Sequence, residues 1–387
     1  MTEFRFNDEL LLQAADRELA QQQFPSVFFA LDHPSLRADF KRIDAGANRA
    51  KSKSRMIGVL TLIFAVVSLL AFPLEPLIIS TNADTEISRN LFRLIAIIGA
   101  ICGVLAVLFG NLGLWFGKLK RNWLQHRLMT ERLRQWHAQY LIAHALDISA
   151  AVTSDTAREA FLDARTVSYN RFKRSVLEQV SSEYTKFTVS GAAAYSGLSV
   201  SEEGPGSSFW IEPGWADLAG RDLSEADHSA LDALLSAYDG TRFIGQVQYT
   251  NYILSSEGKF WSLPAKQASV LRSTAFGLVI FAFVANFIAL LSAIWPSFPI
   301  SQSILGSVAI SFAILAVGVR AFQEGLRPER ELRRMQFYAS AVSAARNNFL
   351  EAKSAQEKII AMSILERASF EEMVEFLSTN ERARFVL

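Results

Sequence analysis

Cysteine is almost missing from this sequence. The 387 residues include one cysteine, Cys102, which lies inside a long apolar run. A single thiol cannot form a disulfide or a cysteine-rich metal site within one chain. The sequence therefore excludes a disulfide-stapled secreted domain, while the redox compartment stays open.

Catalytic signatures are missing as well. The sequence has no GxxxxGK[ST], HExxH or GxSxG pattern and no kinase motif set. His137 and His144 are seven residues apart and could share a helix face, but no third ligand accompanies them. Packing or surface roles are therefore favoured over a zinc site. We expect no enzyme activity, no cofactor and no metal.

An excess of charge and a cleavable leader are both lacking. Lys and Arg number 39 against 38 Asp and Glu, a formal net charge of +1. Such a balance does not indicate a nucleic-acid partner, and we expect none. The first 54 residues are polar and rich in acidic side chains, which argues against a signal or transit peptide. Entry into a membrane would then depend on internal segments.

Four stretches are long and apolar enough to cross a bilayer as helices. A span needs about 20 apolar residues, or about 17 to 25 with tilt. The stretches are Met56–Phe72, Leu94–Phe116, Thr274–Trp295 and Ile304–Phe322. Trp115 and Trp295 lie at span ends, where indole rings favour the headgroup level, so core helices of a soluble fold are disfavoured. We predict an all-α membrane protein with four transmembrane helices in two hairpins.

Basic residues predict the orientation of these spans. Before the first span they are Lys41, Arg42, Arg49, Lys51, Lys53 and Arg55, and after the second Lys118, Lys120, Arg121, Arg127, Arg132 and Arg134. Before the third span they are Lys259, Lys266 and Arg272. At the end of the fourth and after it they are Arg320, Arg327, Arg330, Arg333 and Arg334. The loops at the opposite ends of the spans contain only two basic residues, Arg89 and Arg93. Lys and Arg are retained on the cytoplasmic side, so both termini and the middle segment are predicted there. The lipid bilayer is the expected partner, and the first basic run could also bind anionic lipid.

The predicted organisation alternates polar and apolar regions. Cytoplasmic helices occupy 1–54, the first hairpin 55–117, a cytoplasmic helical region 118–268, the second hairpin 269–322, and carboxy-terminal cytoplasmic helices 323–387. In the first region we expect a helix that Asn7 caps, and in the third a helix that Ser224 caps and that ends at Asp239-Gly240. Together these helices form long cytoplasmic extensions of the spans.

Residues 187–222 differ from the helical regions around them. They are rich in Gly, Ser and Pro and have no sustained hydrophobic period, which predicts a loop or flexible linker. Trp210 and Trp215 lie within this segment. They could dock on the helices or form a surface for a partner or ligand.

Polar residues inside the predicted spans are few. They are Asn111 in the second span, Asn286 in the third, and Ser307 and Ser311 in the fourth. Intramembrane polar residues are candidates for function, but asparagine also bridges neighbouring helices, and we favour bridging for both asparagines. Apart from Arg320 near the end of the fourth span, the spans contain no charge, so a single copy encloses no evident aqueous path and a pore would require a homo-oligomer.

The two halves of the chain share one layout. Each has a helix leading into a span, a short turn, a second span and a long returning helix rich in Arg and Glu. The candidates for coupling the helices to the spans, or for binding a partner, are Trp123, Arg127, Glu131 and Arg134 in the first half and Arg242, Gln246, Tyr249 and Arg334 in the second. We interpret the chain as a tandem duplication of a two-span unit.

This layout resembles the SLATT superfamily of bacterial two-span domains with cytoplasmic helices, including a related domain of unknown function numbered 4231. The residues that carry the resemblance are those of WLQHRLMTERLRQ and RFIGQVQY, together with Arg334, Gln336 and Tyr338. The resemblance implies a bacterial inner-membrane effector of an antiviral defence or conflict system that is pore-forming when triggered. It also implies a cytoplasmic protein or a nucleotide signal as the trigger.

Two other classes compete with the effector. A non-catalytic membrane anchor or scaffold would recruit a cytoplasmic partner through the same long helices. A transporter ranks third, because it would be expected to show broken spans or ionisable groups at the bilayer midplane.

Overall fold

Every element in the described part of the chain is a helix. The computed structural model describes residues 8–81, 86–111, 113–194, 209–224, 226–295 and 301–383. The α-helices are α1 Ala14–Gln23, α2 Phe28–Leu31, α3 Pro34–Thr81, α4 Glu86–Asn111, α5 Gly113–Ala143, α6 Ala145–Thr153, α7 Asp155–Ala194, α8 Trp215–Ala219, α9 His228–Tyr238, α10 Ile244–Leu254, α11 Pro264–Ile294, α12 Gln302–Leu326, α13 Pro328–Glu351 and α14 Ala355–Glu381. The predicted all-α class is therefore confirmed for these residues.

The chain forms two compact units. The polar unit comprises Met1–Arg49, Asn122–Ser255 and Glu331–Glu381, and the apolar unit comprises Ala50–Arg121, Ser256–Arg330 and Arg382–Leu387. The predicted spans fall in the apolar unit and most of the predicted extensions in the polar unit. Helices α3 and α5 contain residues of both units, so the chain passes between them inside a helix.

The apolar unit contains four helices long and apolar enough to cross a membrane. Close approach between α3 and α4 depends on small residues, since a Cβ built on Gly99 would lie 2.5 Å from Ala71 Cβ. Likewise a Cβ on Gly318 of α12 would lie 2.7 Å from Val66 Cγ2 of α3. Phe281 and Phe312 stack between α11 and α12 with ring centroids 5.5 Å apart. Small residues at helix contacts are typical of membrane bundles.

The polar unit has a core rich in aromatic side chains. Trp136 of α5 is fully buried and stacks on Tyr140, with ring centroids 5.0 Å apart. Tyr169 and Phe172 of α7 contact the same indole ring at 5.1 and 6.0 Å. Burying an aromatic side chain of this size removes roughly 150–250 Å² from water. This core holds α5 and α7 together.

The amino-terminal helix is shorter than predicted. Asn7 lies outside the described residues, and a 3-10 turn at Asp8–Leu10 is followed by Leu11 with φ of 50°. Left-handed backbone cannot continue a helix of L-residues. Helix α1 therefore begins only at Ala14, behind an N-cap at Gln13 that forms a capping box with Asp16.

The prediction of a flexible segment at 187–222 is wrong in two parts. Helix α7 continues to Ala194, since alanine-rich sequence favours helix. From residue 209 the segment is docked, because Gln135 and Gln139 Nε2 donate hydrogen bonds of 2.7 and 2.9 Å to the Phe209 carbonyl. Residues 195–208 lie outside the described part of the chain. The Gly, Ser and Pro content did not reveal these buried glutamine partners.

Two helix boundaries also differ from prediction. Asp227, not Ser224, caps α9, where its Oδ1 accepts a 2.8 Å hydrogen bond from the Ala230 N–H. Asp239 and Gly240 do not end the helical run but begin a π-helical turn, Asp239–Phe243, that leads into α10. The predicted second span, Leu94–Phe116, is divided between α4 and α5, and residue 112 lies outside the described residues.

Candidate functional site

A network of buried and half-buried charges lies in the polar unit. It consists of two sets of ion pairs, which come from widely separated parts of the chain: Glu9, Arg127, Glu131, Arg134, Arg242 and Glu366 in the first, and Glu331, Arg334 and Glu372 in the second. We refer to the two sets together as the ion network. Five of its nine members are coupling candidates predicted from the sequence.

Helix α5 presents one edge of the network. Arg127, Glu131 and Arg134 are spaced four and three residues apart and therefore share a face. Glu131 pairs with both arginines, and Arg134 Nη1 donates hydrogen bonds of 2.8 and 2.9 Å to its two carboxylate oxygens. On its other side Arg134 Nε lies 3.1 Å from Glu9 Oε1. The amino-terminal turn is thus joined to α5 by an ion pair.

The centre of the network is the pair of Arg242 and Glu366. Arg242 Nε and Nη2 donate to the two oxygens of Glu366 at 2.8 and 3.1 Å, the two-pronged geometry that suits a guanidinium. Glu366 is fully buried and also accepts a 2.7 Å hydrogen bond from the Tyr238 hydroxyl. Arg242 Nη1 lies 3.6 Å from Glu9 Oε1. The π-helical turn, a feature common at functional sites, positions Arg242.

A third part of the network surrounds Arg334 at the start of α13. Arg334 donates hydrogen bonds to Glu331 and Glu372. The Arg334 guanidinium also lies 4.9 Å from the centre of the Phe376 ring. Nearby, Tyr338 donates a 2.9 Å hydrogen bond to Gln246 Oε1. Gln246, another predicted coupling candidate, therefore joins α10 to α13.

Burial and neighbouring charge shift the proton affinities within the network. Burial raises the pKa of Glu131, but Arg127 and Arg134 more than offset it and bring that pKa to about 2. For Glu372, burial dominates over Arg334 and the pKa is raised. Burial also raises the pKa of Tyr249, to about 12, with a further contribution from Glu372. The network thus holds one carboxylate firmly ionised and another with an increased tendency to bind a proton.

The three predicted tryptophans are placed differently from one another. Trp123 is buried and contacts Phe376 edge-on, with ring centroids 6.0 Å apart. Trp215 is buried against Tyr140, at 5.7 Å between ring centroids, so the docking interpretation is confirmed for it. Trp210 is only half-buried and contacts Phe209 at 5.1 Å. It lines a groove of about 310 Å³ together with Ile360, Ile364 and Arg367.

The polar residues of the predicted spans do not gather at one place. Ser307 and Ser311 hydroxyls donate 2.9 Å hydrogen bonds to backbone carbonyls four residues earlier in α12. Asn286 is exposed on α11 and has no hydrogen bond to another described residue, so bridging within the chain is not found for it. The preceding residue, Ala285, is buried, and successive residues of a helix point about 100° apart, so Asn286 lies on a different face of α11. The Asn111 side chain lies outside the described residues.

The two histidines considered as ligands are not joined in a metal site. His144 Nδ1 lies 2.6 Å from Asp147 Oδ2, whereas His137 is buried, and burial lowers the pKa of His137 to about 3. Among the residues that the structure describes, no cluster of three or more His, Cys, Asp or Glu could hold a metal ion. His144 therefore takes part in a contact with a carboxylate, and His137 is a packed residue of the core.

Sequence reasoning missed the residues that complete the network. Glu9 lies 233 residues from its partner Arg242 along the chain, and Glu366 lies 124 residues from the same arginine, whereas Glu331 is only three residues from Arg334. Only the cluster of glutamates near the carboxy terminus, which includes Glu366 and Glu372, is visible as a local pattern. The acid at helical spacing from Arg242 is Asp239, but it pairs with Arg346, so the residues around Arg242 do not point to Glu366.

Comparison with known proteins gives no family assignment. No family model matches the chain, and neither the curated proteins nor the solved structures yield a match.

Proposed function

We propose that the protein is a bacterial inner-membrane effector of a defence or conflict system. A signal received by the polar unit would cause the four-span bundle to oligomerise and permeabilise the membrane. The observation that carries this proposal is the ion network, because the predicted coupling residues Arg127, Glu131, Arg134, Arg242 and Arg334 all form ion pairs in its two sets. Buried charges cost free energy to retain, and one well-attested use of them is in switches.

The unit composition supports the proposed topology. Residues 8–49, 122–255 and 331–381 contribute to one compact unit, and two candidate spans separate each of these segments from the next. A compact unit cannot be divided by a bilayer, so each pair of spans would return the chain to the same side as a hairpin. With the Lys and Arg bias, that side is the cytoplasm.

Exposed apolar side chains support the proposed self-association. On α11, Phe276 and Phe283 are seven residues apart and are 67% and 69% exposed in the single chain. Phe287, four residues further on, is 53% exposed. Together they form one ridge of the helix that lipid or a second copy would cover.

Membrane potential provides the direct test. The chain is expressed from an inducible promoter in a bacterial host that carries a potential-sensitive dye, with and without phage challenge. We expect the potential to collapse in challenged cells. The double variant Arg242→Met, Glu366→Leu keeps the buried volume but removes the central pair, so it should fold and fail to respond. An unchanged potential with the wild-type chain under challenge, together with no dye release from reconstituted liposomes, would reject the effector.

The scaffold stays as a second candidate because of the groove beside Trp210. Ile360 and Ile364 are 52% and 43% exposed there, and Arg367 lies at the same groove. A stoichiometric soluble protein that co-purifies in detergent, and whose binding Ile360→Asp and Ile364→Asp abolish, would favour the scaffold over the effector.

A further inference from the structure

The Glu9 carboxylate lies between two buried arginines that both have other partners. Its Oε1 is 3.1 Å from Arg134 Nε and 3.6 Å from Arg242 Nη1. Arg134 also pairs with Glu131, and Arg242 pairs with Glu366. Glu9 is therefore the third carboxylate of a five-membered set in which each arginine contacts two acids.

Glu9 differs from the other two carboxylates in the length of the element that carries it. Glu131 and Glu366 belong to helices of 31 and 27 residues, whereas Glu9 is on a three-residue 3-10 turn at Asp8–Leu10. Directly after this turn, Leu11 has φ of 50°, a left-handed conformation that is unfavourable for a bulky L-residue. The short turn is held by the Glu9 ion pairs and by burial of Leu10 and Leu11.

A small cavity adjoins this carboxylate. It has a volume of about 20 Å³, and its lining includes Glu9, Arg134, Arg242, His137 and Thr241. Such a volume is enough for about one water molecule. The arginines thus face a space that is polar on one side and is not filled by the chain.

We propose that Arg134 and Arg242 form an internal carboxylate-binding site, and that Glu9 is its exchangeable occupant. The amino-terminal turn would be docked when Glu9 is bound and released when another carboxylate takes its place. The competing ligand is a free carboxylate small enough to enter between the two guanidinium groups. This site does not depend on the membrane activity proposed above.

Chemical rescue tests the site in the full-length protein. Glu9→Ala removes a methylene and a carboxylate, a fragment of the size of acetate. In detergent, we expect amide hydrogen exchange at residues 9–12 to accelerate at least about tenfold in this variant, since each arginine loses a charged partner. Sodium acetate should restore slow exchange with a saturable dose dependence. Acetamide at the same concentration and matched ionic strength should not.

Two further variants separate this outcome from general effects. Glu9→Gln keeps the shape but leaves no room for acetate, so its fast exchange should not be rescued. If the Glu9→Ala variant fails to fold, Glu9→Gln alone tests the site. In Glu9→Gln we expect fast exchange that acetate does not change. Glu18→Ala, on the exposed face of α1, should exchange like the wild type. Wild-type exchange rates in Glu9→Gln, or equal rescue by acetate and acetamide in Glu9→Ala, would overturn the proposal.

Discussion

At the scale of single residues, three charges of the ion network have little contact with water. Glu366 is fully buried, and Arg242 and Arg334 are 6% and 4% exposed. Removing two charges from water costs several kcal/mol per ion, which their attraction offsets only when geometry is good and the remaining polar atoms are bonded. The Tyr238 and Ser369 hydroxyls supply such bonds, at 2.7 Å to Glu366 and 3.3 Å from Arg242.

Neutralising Glu366 should therefore destabilise the protein strongly. Glu366→Gln keeps the side-chain shape but leaves the buried Arg242 without its two-pronged charged partner. We expect a loss of about 3 kcal/mol in the free energy of unfolding, measured as a lower apparent melting temperature in detergent. Glu371→Gln, an exposed site on the same helix, should change stability by less than about 0.5 kcal/mol. Equal melting temperatures for the two variants would contradict a structural role for the pair.

His33 is a second buried titratable residue with a defined role. Its Nδ1 accepts a 3.2 Å hydrogen bond from the Leu36 N–H at the start of α3, which requires a neutral ring. Burial, with a contribution from Arg165, lowers the pKa of His33 to about 4. Below pH 6.5 the unfolded chain binds a proton that the folded chain does not. Stability should therefore fall as the pH drops from 6.5 towards 4.

The variant His33→Asn tests this dependence. Asparagine can still accept the hydrogen bond at the helix start but does not titrate. Between pH 6.5 and 5, the wild type should lose about 1.5 kcal/mol that the variant retains, because the unfolded ring is half protonated at pH 6.5 and the slope then approaches about 1.4 kcal/mol per pH unit. Melting temperatures across this range measure the difference. His228→Asn, at an exposed position, should keep the wild-type pH profile; if it flattens the profile as much as His33→Asn, the assignment is wrong.

At the scale of elements, glycine decides how closely the apolar helices approach one another. Gly99 and Gly103 of α4 contact α3, where added Cβ atoms would lie 2.5 Å from Ala71 Cβ and 2.8 Å from Ser68 Oγ. Alanine cannot rotate its Cβ away, so the backbones would have to separate. Membrane helices associate through such close packing because lipid supplies no hydrophobic drive between them.

Adding one methyl group at this contact should weaken the bundle. Gly99→Ala is expected to lower stability in detergent by about 1–3 kcal/mol, the usual effect of overpacking, despite the better helix propensity of alanine. Gly277→Ala is the matched control, since nothing lies within 4 Å of a Cβ built there. That control should be neutral or slightly stabilising. A neutral Gly99→Ala would mean that α3 and α4 do not pack as described.

At the scale of the whole molecule, the chain contributes three separate segments to the polar unit and three to the apolar unit. Because the segments of the two units alternate along the chain, the proposed topology has to place all three polar segments on the same side. Either every polar segment lies on one side of the membrane, or the polar unit does not assemble.

Cysteine labelling in intact cells can measure this arrangement. In a Cys102→Ser background, single cysteines are introduced at exposed residues of the polar unit, Glu159 and Glu351, and beside the short loops, at Arg89 and Gln302. An impermeant maleimide should label the two loop positions in intact cells, and Glu159→Cys and Glu351→Cys only after permeabilisation. Labelling of one polar-unit position without permeabilisation would contradict the topology.

The helical class, the four apolar helices and the charged face of α5 could all be predicted from the sequence. These depend on local period and on runs of apolar residues, which neighbouring positions report directly. Trp123, Arg127, Glu131 and Arg134 could be selected because their spacing places them on a recurring helix face. Even so, the prediction from local composition was wrong for two ranges. Residues 187–194 are helical because of their helix propensity, and residues from 209 are docked because Gln135 and Gln139 bind the Phe209 carbonyl.

The contacts of those residues depend on the tertiary structure. Arg242 meets Glu366 across 124 positions of the chain, and no periodic pattern encodes a partner at that distance. The same holds for Glu9, whose turn is too short to be recognised from sequence but whose carboxylate reaches Arg134 and Arg242. Helix formation is local, whereas the pairing of buried charges depends on which helices pack together. The tertiary structure therefore revealed the ion network, while its arginines were already apparent in the sequence.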